Sequence, residues 1–325
     1  MQKEDTIIVG GGPCGMACAI ELQEYGINPL IIEKENIVNT IYNFPTHQTF
    51  FSSSEKLEVG GVPFITEKQK PVRNQALAYY REVSNRKNLR LSTFEKVVKI
   101  KPSDKNMIWV KTENEKGINQ TYLAANVIIA TGYYDQPNKM NIPGEELPKV
   151  MHYFKEAHPY YNKNTVVIGG KNSAVDTTLE LHKAGANITV LYRGDQYSRS
   201  IKPWILPEFD SLVRKEIVQM EFNAHVQQIT TDKVIYTAGN ETKEIENDFV
   251  FAMTGYKPDH QFLTEAGVEI DETTGRPYFE ETMETNVSGI YVAGVVAAGY
   301  NNNEIFIENG RYHSGIIAKA ITSKG

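Results

Sequence analysis

Cysteine, tryptophan and long apolar runs are scarce in this chain of 325 residues. There are two tryptophans and two cysteines, and the cysteines, Cys14 and Cys18, lie four residues apart. A pair at this spacing on one helix cannot build a disulfide framework, and it fits a reducing compartment. The sequence therefore predicts a cytoplasmic protein whose fold depends on burial rather than on covalent links.

Membranes and nucleic acids are also poorly matched to this composition. No apolar run approaches the roughly 20 residues that a membrane helix needs. The N-terminus, MQKED, is charged and lacks the apolar core of a signal peptide. The net charge is -6 and no basic block is present. Neither a metal-ligand spacing nor a nucleophile triad is visible, so the sequence predicts no membrane, nucleic-acid or metal partner.

Two glycine-rich motifs stand out instead. The first is GGGPCG at residues 10–15, directly after the apolar run at 6–9. The second is GGKNSA at residues 169–174, directly after the apolar run at 165–168. Each joins a buried-strand pattern to a helix pattern, which is the context of a dinucleotide-binding loop. Two such loops in one chain predict an electron relay between two nucleotide cofactors.

The order of the strand and helix patterns predicts how these halves are arranged. A βαβ pattern spans residues 6–33, and a second one spans 165–193. The last strand pattern, at 289–294, has no strand to pair with in the second half, so we expect it to complete the first sheet. The fold class is therefore α/β, with two Rossmann-like domains and the second inserted in the first.

The first motif is complete in its glycines. Gly10 makes the tight turn, Gly12 lets the backbone approach a pyrophosphate, and Gly15 packs helix against strand. The helix N-terminus then faces the phosphates. Glu33 follows 18 residues after Gly15, where a carboxylate binds ribose hydroxyls and repels a 2′-phosphate. The first site therefore suits FAD or NAD.

The second motif departs from the pattern at its middle glycine. Lys171 stands there, and its side chain either crowds the pyrophosphate or pairs with it through the ammonium group. Arg193 occupies the position that Glu33 has in the first half, and a guanidinium there forks onto a 2′-phosphate. The second site therefore predicts NADPH rather than NADH, unless Arg193 is only a solvated surface arginine.

Two side chains are candidates for chemistry beyond the cofactors. Cys14 begins a predicted helix, a position that lowers a thiol pKa and favours the thiolate; alternatively it is a small residue that fills the loop against the cofactor. Cys18, one turn further, is interpreted as core. His47 is either a proton donor near pH 7 or a hydrogen-bonded loop histidine.

Taken together, these motifs resemble the low-molecular-weight thioredoxin-reductase-like flavoproteins over nearly the whole chain. The resemblance rests on the first glycine loop with Glu33, on NFP at 43–45, ATG at 130–132, the second loop with Arg193, TG at 254–255 and GIYVAG at 289–294. It implies an FAD-binding domain at residues 1–148 and 259–325, and an NADPH-binding domain at 149–258.

Two departures from that family are informative. Thioredoxin reductases carry a Cys-x-x-Cys pair in the NADPH domain, and this chain has no cysteine after residue 18. The family's closing Gly-Asp becomes Gly294-Val295, which removes a carboxylate expected to bind the ribityl chain of the flavin. We therefore expect a dithiol-free enzyme whose retention of FAD is weakened.

Within this group the chain resembles the bacillithiol disulfide reductases, through residues 11–15, 43–51, 169–176 and 304–310. The resemblance implies FAD and NADPH as cofactors, bacillithiol disulfide as a low-molecular-weight substrate, and a homodimer or larger homo-oligomer. It also implies catalytic roles for Cys14, as holder of a mixed disulfide, and for His47. A helix starting near Glu304 would direct its positive end toward the flavin.

The motifs and the resemblance together predict the cofactor-binding residues. They are Gly10, Gly12, Pro13, Cys14, Gly15, Glu33, Lys34, Asn43, Phe44, Pro45, His47, Val98, Ala130, Thr131, Gly132, Gly169, Gly170, Lys171, Asn172, Ser173, Ala174, Arg193, Arg199, Thr254, Gly255, Gly294, Val295, Glu304 and Ile305. Two other interpretations stay open on the sequence: a ferredoxin- or flavodoxin-NADP reductase of the same architecture, and a small flavin monooxygenase.

Overall fold

The structure is a computed structural model that describes residues 2–103, 106–301 and 303–324. It divides into two compact units, one formed by Met1–Gln136 with Tyr256–Gly325 and the other by Pro137–Gly255. The second unit is thus inserted in the first, as the sequence predicted. No helix in the described residues has the length and apolar character needed to cross a membrane.

Each unit combines parallel strands joined by helices with runs of consecutive strands. The strands are β1 (Gln2–Val9), β2 (Leu30–Glu33), β3 (Arg90–Thr93), β4 (Glu95–Pro102), β5 (Ile108–Asn114), β6 (Asn119–Ile129), β7 (Val150–Met151), β8 (Asn164–Ile168), β9 (Asn187–Leu191), β10 (Val218–Glu221), β11 (Ala224–Ile229), β12 (Lys233–Ala238), β13 (Glu241–Glu246), β14 (Phe249–Ala252) and β15 (Ile290–Val292). The helices are α1 (Pro13–Glu24), α2 (Asn39–Asn43), α3 (Arg73–Arg86), α4 (Asn172–Lys183), α5 (Leu206–Arg214), α6 (His260–Glu265), α7 (Ile307–Gly310) and α8 (His313–Thr322). Short 3₁₀ helices lie at Ser54–Leu57, His158–Tyr160 and Gly294–Ala298.

The sheet of the first unit has the order β3-β2-β1-β6-β5-β4, with β15 also paired to β6. Its central strands are apolar and buried on both faces, as expected of parallel strands covered by helices. β6 joins the antiparallel and the parallel parts of this sheet. Its first half pairs antiparallel with β5, and its end, Val127 to Ile129, pairs parallel with β15. The prediction that the last strand completes the first sheet is confirmed.

One part of the predicted antiparallel meander at residues 90–125 is wrong. β3 runs parallel to β2, with Leu30 opposite Arg90 and Glu33 opposite Thr93. The antiparallel part begins only at β4. Arg90 contributes to holding β3 there, because its guanidinium donates to both carboxylate oxygens of Glu4 at 2.8 and 2.9 Å. The local alternation of apolar and polar residues does not predict an ion pair between positions so far apart in the chain.

The second unit repeats the plan on a smaller scale. Its parallel sheet has the order β10-β9-β8-β14-β7, and β11, β12 and β13 form a separate antiparallel sheet. Residues 137–148, which the sequence-based division assigned to the first domain, cluster with this unit. Met140, Ile142 and Leu147 pack against its apolar core, and Ile229 N–H donates to the carbonyl of Pro143 at 2.9 Å.

In each unit the carboxyl ends of neighbouring parallel strands meet at one edge. In the first unit Val9 lies opposite Ile32 and Ile129, and Val292 lies opposite Ile129. In the second unit Ile168 is paired with both Leu191 and Ala252. Ligands of open α/β sheets bind outside these ends, so the residues that follow each strand form the candidate sites.

Candidate functional site

The first glycine loop is fixed by contacts that admit no side chain at two of its positions. Gly10 has a φ of +112°, and a β-carbon there would lie 2.5 Å from the carbonyl oxygen of Ala130. A β-carbon at Gly15 would collide with the carbonyl oxygen of Gly10. Both glycines are therefore required by the meeting of β1, β6 and α1, as the motif predicts.

Gly12 is different, because its surroundings are open. It is the N-cap of α1, with an extended φ of -79°, and no atom lies within 4 Å of the position a β-carbon would take. No side chain caps the helix at this end, and Pro13 needs no partner because it has no N–H. The first turn of α1 thus presents backbone donors to open space, which fits a pyrophosphate.

Glu33 ends β2 beside this loop and is 8 % exposed. Its carboxylate accepts hydrogen bonds from Gly11 N–H at 2.7 Å and from Glu35 N–H at 3.1 Å. Burial raises the pKa of the carboxyl, while these two backbone donors lower it. The carboxylate is therefore held at the edge of the glycine loop, where ribose hydroxyls would lie. Its neighbour Lys34 forms an ion pair with Asp135 at 2.8 Å.

Gly11 is a residue that the sequence-based site omitted. A β-carbon at Gly11 would lie 3.2 Å from the β-carbon of Glu33. Only a glycine therefore lets the loop pass this close to the acid without displacing it. The signal was present as a third consecutive glycine, but its partner lies 22 residues away and the motif does not specify that contact.

Cys14 lies in a tight cleft between the first glycine loop and the end of the chain. Its sulfur is 2.9 Å from the position of a β-carbon on Gly294 and 3.1 Å from that of one on Gly310. Burial, and to a smaller extent the charge of Glu308, raise the pKa of the Cys14 thiol to about 12. The lowered pKa predicted from its place at a helix start is wrong, because desolvation outweighs the helix end.

A simple labelling experiment checks this environment. A thiol with a pKa of about 12 has a thiolate fraction more than 1,000-fold below that of a free cysteine, whose pKa is about 8.5. We therefore expect iodoacetamide to modify native protein at pH 7.5 very slowly and denatured protein rapidly. Mass spectrometry follows the extent of labelling with time. If native Cys14 is labelled at the rate of a free thiol, the raised pKa of its thiol is contradicted.

The chain returns to the first site through the turn after β15. Gly294 adopts a φ of +75°, a conformation that favours glycine. Val295 follows within the 3₁₀ helix Gly294–Ala298 and is half-buried. An apolar side chain therefore occupies the place of the carboxylate expected from the thioredoxin reductases. Val295 therefore supplies no acid to a ligand at this turn.

The helix predicted near Glu304 begins later, at Ile307. Asn309 sets this start, since its side-chain oxygen accepts from Phe306 N–H at 2.7 Å and its amide donates to the Glu304 carbonyl at 2.8 Å. The Glu304 carboxylate is paired with Arg276. The predicted helix start at Glu304 is therefore three residues too early, whereas the direction of this helix end toward the flavin stays a prediction. Ile305 packs half-buried beneath the turn.

The segment at residues 43–47 lies where α2 ends. The carbonyl of Asn43 accepts from the hydroxyl of Tyr134 at 3.3 Å, and the rings of Phe44 and Tyr134 meet edge-on at 5.5 Å. Tyr134 follows the ATG segment after β6, so these contacts bring two predicted FAD segments together. Pro45 then leads into a turn that carries His47, which is exposed.

The remaining predicted residues of the first unit occupy two places. Val98 is half-buried at an irregularity of β4, where the pairing with β5 shifts between Val97 and Lys99. Ala130 and Thr131 follow β6, and Gly132 has a φ of +72° with open space around it. The open side of Gly132 matches that of Gly12, since both leave room beside the carboxyl ends of the central strands.

The second glycine loop has the same construction in the second unit. Gly169 has a φ of +143°, and a β-carbon there would lie 2.5 Å from the Met253 carbonyl oxygen and 3.2 Å from the β-carbon of Ala174. A β-carbon at Gly170 would collide with the ring of Tyr192. Lys171 is the N-cap of α4 and has extended backbone, so it requires no glycine.

Cationic side chains surround the open end of this loop. Lys171, Arg193 and Arg199 are exposed, and no hydrogen bond or ion pair holds their side chains within the part of the chain that the structure describes. Lys171 and Arg193 follow the neighbouring parallel strands β8 and β9. Solvated cations at the carboxyl ends of adjacent strands fit an anionic ligand, and they fit a 2′-phosphate in particular.

Asn172 and Thr254 hold structure rather than face outward. The amide of Asn172 donates to the Ser200 carbonyl at 3.1 Å and accepts from Lys202 N–H at 2.9 Å, so it fixes the loop that carries Arg199. Thr254 donates to the Asn138 carbonyl at 2.6 Å, and the Gly255 carbonyl accepts from Asn138 N–H at 2.9 Å. Ser173 is exposed beside them.

Comparison with known proteins agrees with this geometry. Residues 7–294 match the family described as pyridine nucleotide-disulphide oxidoreductase. The chain is 62% identical to the bacilliredoxin reductase Bdr of Bacillus subtilis (strain 168), over all of this chain and 99% of that protein. The chain belongs to the bacillithiol disulfide reductase family of these oxidoreductases. Its cofactors are accordingly FAD and NADPH.

Solved structures extend the comparison to three dimensions. The bacillithiol disulfide reductase Bdr (YpdA) from Bacillus cereus has a TM-score of 0.98 and 62% identity, with all of both chains covered. The Staphylococcus aureus protein of the same name has a TM-score of 0.95 and 55% identity, over all of this chain and 99% of that one. The predicted fold class and enzyme class are confirmed.

Proposed function

We propose that this chain reduces bacillithiol disulfide to bacillithiol at the expense of NADPH, with FAD as the intermediate carrier. The observation that carries the proposal is full-length likeness to two solved proteins named bacillithiol disulfide reductase, together with the two glycine loops at the strand ends. One turnover consumes NADPH, a proton and one disulfide, and it yields NADP⁺ and two thiols.

The two units divide the work of binding. We infer that the first unit holds FAD, with Gly12 at the pyrophosphate and Glu33 at the ribose. The second unit holds NADPH, with Lys171 at the pyrophosphate and Arg193 at the 2′-phosphate. FAD bound there would supply the two-electron chemistry that links NADPH oxidation to disulfide reduction. The protein contributes orientation and selectivity through the loop ends of the two sheets.

The surroundings of Cys14 bear on whether it acts as a covalent carrier. Attack on a disulfide requires a thiolate, and burial raises the pKa of Cys14 to about 12. The residue is half-buried, with its sulfur close to Gly294 and Gly310, and the other cysteine, Cys18, is 1 % exposed. We therefore propose that disulfide reduction proceeds without a mixed disulfide on the protein, and that Cys14 packs the glycine loop against the end of the chain.

A substrate panel tests the assignment. NADPH oxidation is followed with bacillithiol disulfide, glutathione disulfide, a bacilliredoxin carrying bacillithiol as a mixed disulfide, and ferredoxin. We expect bacillithiol disulfide to give the highest kcat/KM. A higher kcat/KM for the protein-bound disulfide would fit the name of the Bacillus subtilis relative instead. Rapid turnover with ferredoxin alone would contradict the proposal and indicate a ferredoxin-NADP reductase.

Location and assembly complete the proposal. A cytoplasmic location is supported by two free cysteines and by a substrate thiol that must be kept reduced. A homo-oligomer is supported by apolar side chains left exposed on the last helix and just before it, Ile316 at 42% and Tyr312 at 63%. Sedimentation equilibrium of the purified protein tests the second point, and a monomer at micromolar concentration would contradict it.

A further inference from the structure

His313 makes a contact that no motif of the sequence predicts. It is the first residue of α8, and its Nδ1 accepts a hydrogen bond from the backbone N–H of Gly294 at 3.1 Å. An imidazole nitrogen that accepts is unprotonated, so His313 is neutral here with its proton on Nε2. Burial lowers the pKa of the imidazole, which is the direction that preserves this acceptor.

The Gly294 N–H that donates this hydrogen bond belongs to the turn that follows β15, beside the first site. The ladder between β15 and β6 ends with Ala293 N–H, which donates to the Ile129 carbonyl at 2.9 Å. Gly294 N–H is the next donor along the chain and has no place in that ladder. A β-carbon on Gly294 would lie 2.9 Å from the sulfur of Cys14, so Cys14 packs close to the same residue. His313 and Cys14 therefore both border the turn.

The substitution at the following residue makes the placement of this turn more important. Val295 offers no carboxylate to a ligand, so FAD would be met there by backbone groups of the residues that follow Gly294, whose own N–H is bonded to His313. A backbone donor is effective only where its position is fixed, because hydrogen bonds weaken steeply with poor geometry. The residue that fixes Gly294 consequently influences affinity for the cofactor without touching it.

We propose that His313 is a positioning residue for FAD, acting through the Gly294–Val295 turn, and that its protonation releases this turn. The proposal rests on the assignment of FAD to the first unit. Protonated imidazole is a donor at both nitrogens, and it cannot accept from Gly294. FAD affinity then falls as the pH drops through the pKa of His313, which burial holds below the ordinary histidine value of about 6.5, because FAD binds the form in which the ring is neutral.

Other ionisable groups on the surrounding elements have to be separated from this effect. They are Cys14, Cys18 and Glu21 on α1, Glu308 on α7, Arg311 between α7 and α8, and Glu33 at the end of β2. Burial is what lowers the pKa of His313, with no charged neighbour contributing. Glu33 has a raised pKa, so protonation of this acid also weakens FAD binding at low pH, and a variant at position 313 is needed to tell the two apart.

The test measures FAD binding to apoprotein by quenching of flavin fluorescence at pH 7.5 and 5.5. Apoprotein of His313→Leu lacks the acceptor, and we expect a five- to tenfold higher Kd at pH 7.5, the loss typical of one hydrogen bond. In His313→Asn the amide oxygen replaces Nδ1, so affinity stays within about threefold of wild type. The pH dependence of the Asn variant is then smaller than that of wild type, since an amide does not titrate.

Each outcome bears on the proposal. Equal affinity of the Leu variant and wild type, or equal pH dependence of the Asn variant and wild type, would overturn it. His225→Leu, on an exposed position of β11, is the matched control and leaves FAD binding unchanged. If the Leu variant does not fold, the pH profile of the Asn variant decides. Wild-type apoprotein that binds no FAD at any pH would instead refute the proposed function.

Discussion

Gly12→Ala is expected to leave the apoprotein folded and to weaken FAD binding by at least about 100-fold. Nothing lies within 4 Å of the added methyl group and the backbone is extended there, so folding meets no obstacle. A bound pyrophosphate would occupy that space, and its displacement breaks two or more charge-assisted hydrogen bonds worth about 1.5–3 kcal/mol each. FAD titration and thermal unfolding of the apoprotein measure the two effects separately.

Two other glycines provide the comparison. Gly15→Ala adds its methyl group against the carbonyl oxygen of Gly10, so it should lower the unfolding temperature of the apoprotein as well as FAD affinity. Gly315→Ala, in the interior of α8 with 3.8 Å to the nearest atom, should leave both at or above wild type because alanine favours a helix. If Gly12→Ala binds FAD as tightly as wild type, the pyrophosphate does not lie at the first loop.

The second large effect concerns selection between the two nicotinamide cofactors. Arg193→Ala is expected to raise the KM for NADPH by roughly 10- to 100-fold and to leave the KM for NADH nearly unchanged. The arginine is exposed, unpaired within the described residues and placed after β9, and loss of one charged contact to the 2′-phosphate costs about 1.5–3 kcal/mol. Steady-state kinetics with both cofactors measure the ratio.

Arg214→Ala is the matched control for this change. Arg214 is also an exposed arginine of the second unit, but it pairs with Asp210 one helical turn away at 2.8 Å. Its removal is expected to alter neither KM. An equal loss with NADPH and NADH in Arg193→Ala would show that the arginine supports the fold of the loop rather than reading the phosphate.

The features that the sequence predicted well are those that local chain geometry imposes. A tight turn between a buried strand and a helix needs Gly10 and Gly15 whatever surrounds them, so the pattern alone located both loops. The insertion of one unit in the other also followed from order, because β15 had no other sheet to join. The family resemblance added the cofactors and the enzyme class, which spacing alone left open.

The features that the sequence missed depend on contacts between distant parts of the chain. The helix-start argument for Cys14 considers only its own helix, whereas burial and, to a smaller extent, the charge of the distant Glu308 raise its pKa. The start of α7 was placed too early because the cap supplied by Asn309 was not recognised. The contact of His313 with Gly294 joins residues 19 positions apart, and no motif encodes it.

The most direct test of the account is flavin reoxidation in a cysteine-free variant. Cys14→Ser/Cys18→Ser protein, loaded with FAD, is reduced by one equivalent of NADPH without oxygen and then mixed with bacillithiol disulfide. We predict that the flavin absorbance returns at a rate within about threefold of wild type, with two thiols released per flavin. A flavin that stays reduced in the variant but reoxidises in wild type would show that electrons pass through Cys14.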